Sequence, residues 1–460
     1  MGELVAVLQG NRKPGSIAPS KCLVHNRGLA DEIFLESMTR INDCRRALAK
    51  RLRALLLAVL ASTAHIALAD NDHWVAAWAS APQSVADNPA APVFNRAPQV
   101  SHQTIRQIIY SGLAGDRVRI ELSNRYGRTP LAITEVHVAL SATLAAIERG
   151  SDRSVTFGGK SAVLIPPGQT RQSDPLPLRV GAGAPLAVSL YIAGAENPST
   201  WHKVASQVNY MSVPGNHASD VSGAAFRKRF TSYLWLTGLS VDVGERADAF
   251  AIAAIGDSIT DGMRSTLNAN RRWADTLARR IANSGAAVLN LGVSGNRLLN
   301  SSPCYGESLQ SRFKEDALPQ IGARVAIVLI GINDINFAAE PPHAGLDCDV
   351  PHTKVTAAAM VAGYRGLIAA AHAQGMRILG GTLTPASLPP DREATRLALN
   401  RWIRSGGGFD GFIDFDAVLR NPAKPNELLP RFDSGDHVHP SDAGYAQMGN
   451  QIPLHLLGVP

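Results

Sequence analysis

A hydroxyl becomes a nucleophile when a histidine can take its proton and a carboxylate can orient that histidine. Ser258 stands in the stretch AIAAIGDSITDG, where an apolar run from Phe250 to Ile255 stops at Gly256-Asp257-Ser258. That is the outline of a buried parallel strand ending in a tight turn before a helix. Ligands of open α/β sheets bind at the carboxyl ends of the strands, which puts Ser258 at the mouth of a cleft. Near the end of the chain, Asp436-His437-Val438-His439-Pro440 supplies the other two residue types.

The elements that must position these residues change rhythm along the chain. From Trp74 to about Val243 there are short alternating or β-branched runs, such as Thr104 to Tyr110, Arg117 to Leu122, Ile133 to Leu140, Ser154 to Phe157, Leu186 to Ile192 and Tyr233 to Val243. Gly- and Pro-rich turns separate them, which predicts a β-sandwich or jelly roll over residues 70–243. The Pro/Ala-rich piece Ala86 to Pro98 reads as a surface loop. From about Gly244 strands alternate with helices, so residues 244–460 are expected to form a parallel sheet with helices on both faces. After the Ser258 strand the expected strands are Ala287–Val293, Val325–Ile332, Met376–Leu383 and Phe412–Phe415. Five parallel strands with their helices have the size of a flavodoxin-like three-layer α/β/α domain.

Four pieces fall at strand ends or in the terminal loop: Gly256-Asp257-Ser258-Ile259, Gly295 within Asn290 to Asn296, Gly331-Ile332-Asn333-Asp334, and Asp436-x-x-His439-Pro440. In these the carboxyl-terminal part, about 244–460, resembles the GDSL esterase/lipase family, also called SGNH hydrolases. The first motif reads GDSI here, not GDSL. The resemblance implies a serine esterase with Ser258 as nucleophile, His439 as base and Asp436 as the carboxylate that orients it. It also implies an oxyanion hole of the Ser258 and Gly295 backbone N–H groups and the Asn333 side-chain amide. Residue chemistry agrees with these roles, since glycine admits substrate close to the backbone and Asn carries two N–H donors. No cofactor and no divalent metal is required.

Neighbouring residues offer alternatives. His437 competes with His439, but only His439 has the D-x-x-H-P spacing. Ser294 lacks the closing glycine of G-x-S-x-G. Asp257, Asp261 and Asp334 read as structural carboxylates beside turns, and His372 as a surface or satisfied core residue. Asp433, Asp436, His437, His439 and Asp442 crowd into ten residues and could ligate a metal, as in a phosphoesterase; Ser258 and Asn333 would then have no role. The β-rich part could instead bind glycan beside a relic hydrolase. Within the esterase reading, acetylated carbohydrate is the first expectation for substrate, and a short-chain lipid or aryl ester the second. Aromatics such as Trp201, Tyr233 and Trp235 could stack on sugar rings, although most are expected to be core.

Charge points away from nucleic acid. The chain has 45 Lys/Arg and 38 Asp/Glu, a net of +7. Arg45, Arg46, Lys50, Arg51 and Arg53 precede a short apolar stretch, Ala54 to Leu60, and Ala67-Leu68-Ala69 follows. This order describes a secretory signal peptide, with an amphipathic helix or membrane anchor as the alternative. The stretch is too short to span a bilayer. Residues 1–69 are therefore expected to be a leader cleaved after Ala69, with Met38 an alternative start. Its loss removes ten Lys/Arg and five Asp/Glu, leaving 35 basic and 33 acidic residues, a net of +2 that gives no support for nucleic-acid binding, which needs a clustered basic face. Cys304 and Cys348 remain, and in an exported protein they are expected to pair. Such a bridge would contribute roughly 4 kcal/mol by loop entropy.

Overall fold

Apolar runs covered on both faces make parallel strands. Five of them form the sheet of the carboxyl-terminal half in the computed structural model, which describes residues 72–86, 95–337 and 350–459. They are β1 (Phe250–Gly256), β2 (Ala286–Gly292), β3 (Ala323–Leu329), β4 (Arg377–Gly381) and β5 (Phe412–Ile413), in the order β2-β1-β3-β4-β5. This is the flavodoxin-like order, with its switch point at β1 and β3. β1 is buried along its whole length, and its last residue, Gly256, lies opposite Gly292 of β2 and Leu329 of β3.

The helices are α1 (Ser258–Asp261), α2 (Trp273–Arg280), α3 (Leu309–Asp316), α4 (Ile332–Phe337), α5 (Ala357–Ala373), α6 (Pro390–Arg404), α7 (Phe415–Leu419) and α8 (Asp442–Gln451). Caps set their ends. Ser441 accepts the Gly444 N–H at the start of α8, and Gly375 takes a left-handed φ of 66° just beyond α5. Three expected strands are shorter than the apolar runs suggested, and Met376–Leu383 is confined to Arg377–Gly381. The run Val325–Ile332 leaves the sheet at Leu329, because Ile332 already opens α4. Phe412–Phe415 ends at Ile413, where Asp414 caps α7 by accepting the Ala417 N–H.

The amino-terminal region is β-rich. One antiparallel sheet runs Trp74–Ala79, Leu236–Asp242, Gly115–Ser123, Leu176–Val180, with Thr170–Gln172 also paired to Gly115–Ser123. A second runs Phe226–Phe230, Asn209–Pro214, Val100–Tyr110, Pro185–Glu196, Glu135–Leu140, Arg153–Ser154. Val118, Ile120 and Leu122 of the first share a core with Ile105, Ile109, Val188 and Leu190 of the second. A small sheet joins Gln83–Ser84, Thr200–His202 and Tyr233–Leu234. The expected strand Tyr233–Val243 is broken at Trp235, whose φ of 59° lies outside the extended region. Trp201, Tyr233 and Trp235 are all buried, so none offers a free face for stacking on a sugar.

Residues 71–460 cluster as one compact unit in which the β-rich and parallel-sheet regions share a hydrophobic core. Trp74–Ala79 helps to join them: it pairs with Leu236–Asp242, and Ala76 donates its N–H to the Ile321 carbonyl at 2.8 Å. The expected leader (1–69), Cys348 and most of the loop at 86–98 lie outside the described residues. Among the described residues no helix is long and apolar enough to cross a membrane.

Candidate active site

β1 delivers Ser258 to the cleft. Asp257 caps α1 by accepting the Ile259 N–H at 3.0 Å, and Ser258 is the first helical residue. Backbone N–H groups in a first helical turn have no partner within the helix. Gly262, with φ 96°, ends α1 after one turn. The imidazole of His439 faces the serine, its Nε2 2.8 Å from Ser258 Oγ. Its other nitrogen, Nδ1, lies 2.8 Å from Asp436 Oδ2. Asp436 is pinned in turn, since its Oδ1 accepts the backbone N–H groups of Val438 and His439. Partial burial works to raise the Asp436 pKa, but these bonds and the His439 imidazole outweigh it and hold the carboxyl well below its ordinary range.

Gly295 and Asn333 line the same cleft as Ser258 and His439, in a cavity of about 600 Å³. Gly295 has φ 79°, and a Cβ built there would clash with Cδ1 of the Tyr305 ring, so both backbone and space demand glycine. Asn333 uses one amide hydrogen to bond the Asn296 carbonyl at 3.0 Å. The second N–H of that amide remains for the cleft. Asp334 accepts the N–H groups of Leu298 and Leu299 at 2.7 and 2.9 Å, tying the Gly295 loop to the start of α4. Burial raises its pKa to about 6, against the pull of those two N–H groups.

Beneath the site lies the fully buried Arg312. It donates to the carbonyls of Gly256 and Leu291, to Asn296 Oδ1 and to Asp316. Arg125 of the β-rich region closes on the other oxygen of Asp316 at 2.9 Å. Removing one partner from such a buried set would cost about 3–5 kcal/mol, because it strands a charge.

The structure separates the alternatives. His437 is exposed and bonded to Asp433, away from Ser258. Asp442 accepts from the Thr266 N–H and hydroxyl. Asp433, Asp436, His437, His439 and Asp442 thus form three separate partnerships, and among the described residues no His/Cys/Asp/Glu group converges on a metal-sized site. The Ser294 hydroxyl donates to Asp261 Oδ2 at 2.6 Å. His372 is half-exposed and bonded to Asp410. Cys304 is in a disulfide.

Several cleft residues carry no motif. Lys203, Val204, Ser206 and Thr231 come from the β-rich region, and Tyr305 and Phe337 stack with centroids 5.4 Å apart. Arg264 donates from Nε to Asp436 Oδ2 at 3.1 Å. Its loop is marked as unusual by left-handed φ values of 70° at Arg264, 65° at Asn268 and 48° at Asn270, and the one at Arg264 is invisible in sequence.

Residues 254–447 match the model of the GDSL-like Lipase/Acylhydrolase family. Among curated proteins no match was found. Solved structures similar to this chain include a putative lipolytic protein of G-D-S-L family from Desulfitobacterium hafniense, 20% identical over 44% of this chain and 96% of that one, TM-score 0.34. A GDSL-like lipase from Bacteroides thetaiotaomicron is 18% identical over 45% and 88%, TM-score 0.32. The acetylxylan esterase Axe2 from Geobacillus stearothermophilus is 22% identical over 46% and 96%, TM-score 0.35.

Proposed function

Residues 254–447 are a GDSL-like lipase/acylhydrolase domain and the protein is a carboxylic ester hydrolase; on that premise we propose that Ser258, His439 and Asp436 carry the reaction. The observation behind this is the pair of 2.8 Å contacts that link Ser258 Oγ, the imidazole and the Asp436 carboxylate in line. Ser258 Oγ attacks the ester carbonyl carbon while its proton passes to His439 Nε2. The resulting oxyanion is held by the Ser258 and Gly295 N–H groups and the Asn333 amide, each donor worth roughly 3 kcal/mol of barrier. Collapse of the tetrahedral intermediate expels the alcohol, which takes the proton from His439. Water then attacks the acyl-enzyme by the same route in reverse, releasing the acid and restoring Ser258.

The favoured substrate is an acetyl ester of a carbohydrate. Hydroxyl side chains of Ser206, Thr231 and Ser265 line the cleft around Ser258, and they can bond to sugar hydroxyls. A short-chain lipid or aryl ester is the second reading, favoured by Met263, Leu267, Tyr305 and Phe337 in the same cleft. The disulfide at Cys304 supports export to an oxidising compartment. Acetate release from acetylated xylan or pectin is to be compared with hydrolysis of p-nitrophenyl esters of rising chain length. Preference for the polysaccharides supports the first reading. Rates that rise with chain length, with no acetate from either polymer, would replace it by the second.

A further inference from the structure

The β-rich region reaches the reaction centre through a buried histidine. His202 ends the strand Thr200–His202, and its side chain is 6% exposed. Nδ1 lies 2.9 Å from the Ala81 carbonyl oxygen. Nε2 lies 3.0 Å from the Val204 carbonyl oxygen and 3.1 Å from Asp261 Oδ1. Carbonyl oxygens only accept, and so does an ionised carboxylate. A neutral ring would therefore turn a lone pair toward acceptors inside the protein, where an unmatched polar group is most costly. Both nitrogens must carry protons, which makes the ring an imidazolium. Burial opposes that charge, but Asp261 and the two carbonyls prevail and raise the His202 pKa. Two neighbouring cations, Arg272 and Lys203, also feel the charge of Asp261, but their hydrogen bonds go elsewhere. Arg272 is held by Asp275, and Lys203 bonds Asn95 and the Cys304 carbonyl. Tyr233 stacks alongside at 6.2 Å.

Asp261 passes this constraint on. It lies on α1 with Ser258, and its Oδ2 accepts both the N–H and the hydroxyl of Ser294, at 2.9 and 2.6 Å. The next residue is Gly295. One carboxylate thus spans the helix of the nucleophile and the loop of the oxyanion donor, with an imidazolium fixing its other oxygen. Lys203, adjacent to His202, holds the same loop from the far side. Its Nζ lies 4.9 Å from the centroid of Tyr305, the ring packed against Gly295.

We propose that His202 is a positioning residue for ester hydrolysis, an imidazolium that fixes Asp261 and through it the Gly295 N–H relative to Ser258 Oγ. This rests on the reading of Gly295 as an oxyanion donor. Misplacing a donor by a fraction of an ångström weakens transition-state binding and leaves ground-state binding nearly untouched.

Kinetics of His202→Gln, Asp261→Asn and the double variant, taken below the lowest melting temperature, test the link. The expected result is a fall in kcat of about 10- to 100-fold for His202→Gln, with KM within about 2-fold. The double variant should be no slower than Asp261→Asn alone, since both act through one contact. Wild-type kcat in folded His202→Gln, or losses that multiply in the double variant, would overturn the proposal. Imidazole ¹⁵N spectra of the unmutated protein at pH 8 form a second arm that needs neither activity nor a foldable variant. Both His202 nitrogens should be protonated, and an unprotonated one overturns the proposal. If the reading of Ser258 as nucleophile fails, Ser258→Ala will retain activity while this spectrum is unaffected, so the two failures can be told apart.

Discussion

Arg264 Nε and His439 Nδ1 converge on one oxygen of Asp436, at 3.1 and 2.8 Å. The carboxylate therefore divides its charge between the imidazole and a guanidinium at the cleft edge. The arginine is half-exposed, and exposed pairs contribute little. Arg264→Ala should lower kcat/KM by no more than about 10-fold. Asp436→Asn should lower kcat by about 10⁴-fold, because the imidazole loses its orientation and the partner of its developing charge. Comparable losses in initial-rate assays would show that Arg264 does more than neighbour the carboxylate.

Ser258→Ala should lose at least about 10⁴-fold in ester hydrolysis with the fold retained. A serine-directed phosphonate should modify Ser258 and spare Ser294, whose hydroxyl hydrogen is committed to Asp261. Peptide mapping of the labelled protein reads this directly, and a label on Ser294 would refute it.

His437 and His439 are two residues apart but differ in surroundings. His437→Ala should leave kcat within about 2-fold, and His439→Ala should abolish turnover by about 10³-fold or more. Equal losses would require both rings in the reaction and would reopen the choice of base.

Asp257 gives a pH signature in stability. Burial raises its pKa to about 7; the field of Asp334 adds to this, and the N–H groups of Ile259 and Gly331 with Arg312 oppose it. In the unfolded chain an aspartate titrates near 4. Folding thus favours the protonated acid: its stabilisation is complete below about pH 4 and is lost as pH rises through about 7. Asn can keep the helix cap without ionising. The drop in melting temperature between pH 5 and pH 8 should therefore be smaller in Asp257→Asn than in the unmutated protein. An identical drop would remove Asp257 from the account.

The Cys304 disulfide abuts the Gly295 loop, because the Cys304 carbonyl accepts from Lys203 and the next residue, Tyr305, packs on Gly295. Reduction should lower kcat about 3- to 10-fold at a temperature where the protein stays folded. Non-reducing peptide mapping should recover Cys304 joined to Cys348. A lower melting temperature with unchanged kcat would make the bridge a support of the fold alone.

The parallel sheet was legible because buried strands such as Phe250–Gly256 are unbroken apolar runs bounded by glycine, and three of the four motifs fall where those runs end. The same logic overran at Ile332, since an apolar residue looks alike at the end of a strand and the start of a helix. Thr200–His202 and Gln83–Ser84 were not legible at all: two or three residues carry no period. His202 was hidden for a further reason. Its meaning comes from acceptors at Ala81, Val204 and Asp261, far apart in the chain, and no local spacing encodes that meeting. Nor does any local pattern show that Lys203, Val204, Ser206 and Thr231 of the β-rich region wall the cleft.

The Tyr305 ring occupies the place where any side chain at position 295 would begin. Removing the ring would free that space but leave the left-handed backbone, so neither change alone opens a route to another residue at 295. Gly295 is thus locked twice over, and any drift away from it across a lineage must pass through at least two unfavourable steps. The cleft can diversify its specificity more readily at Val204, Ser206, Met263 or Leu267, where no such lock exists.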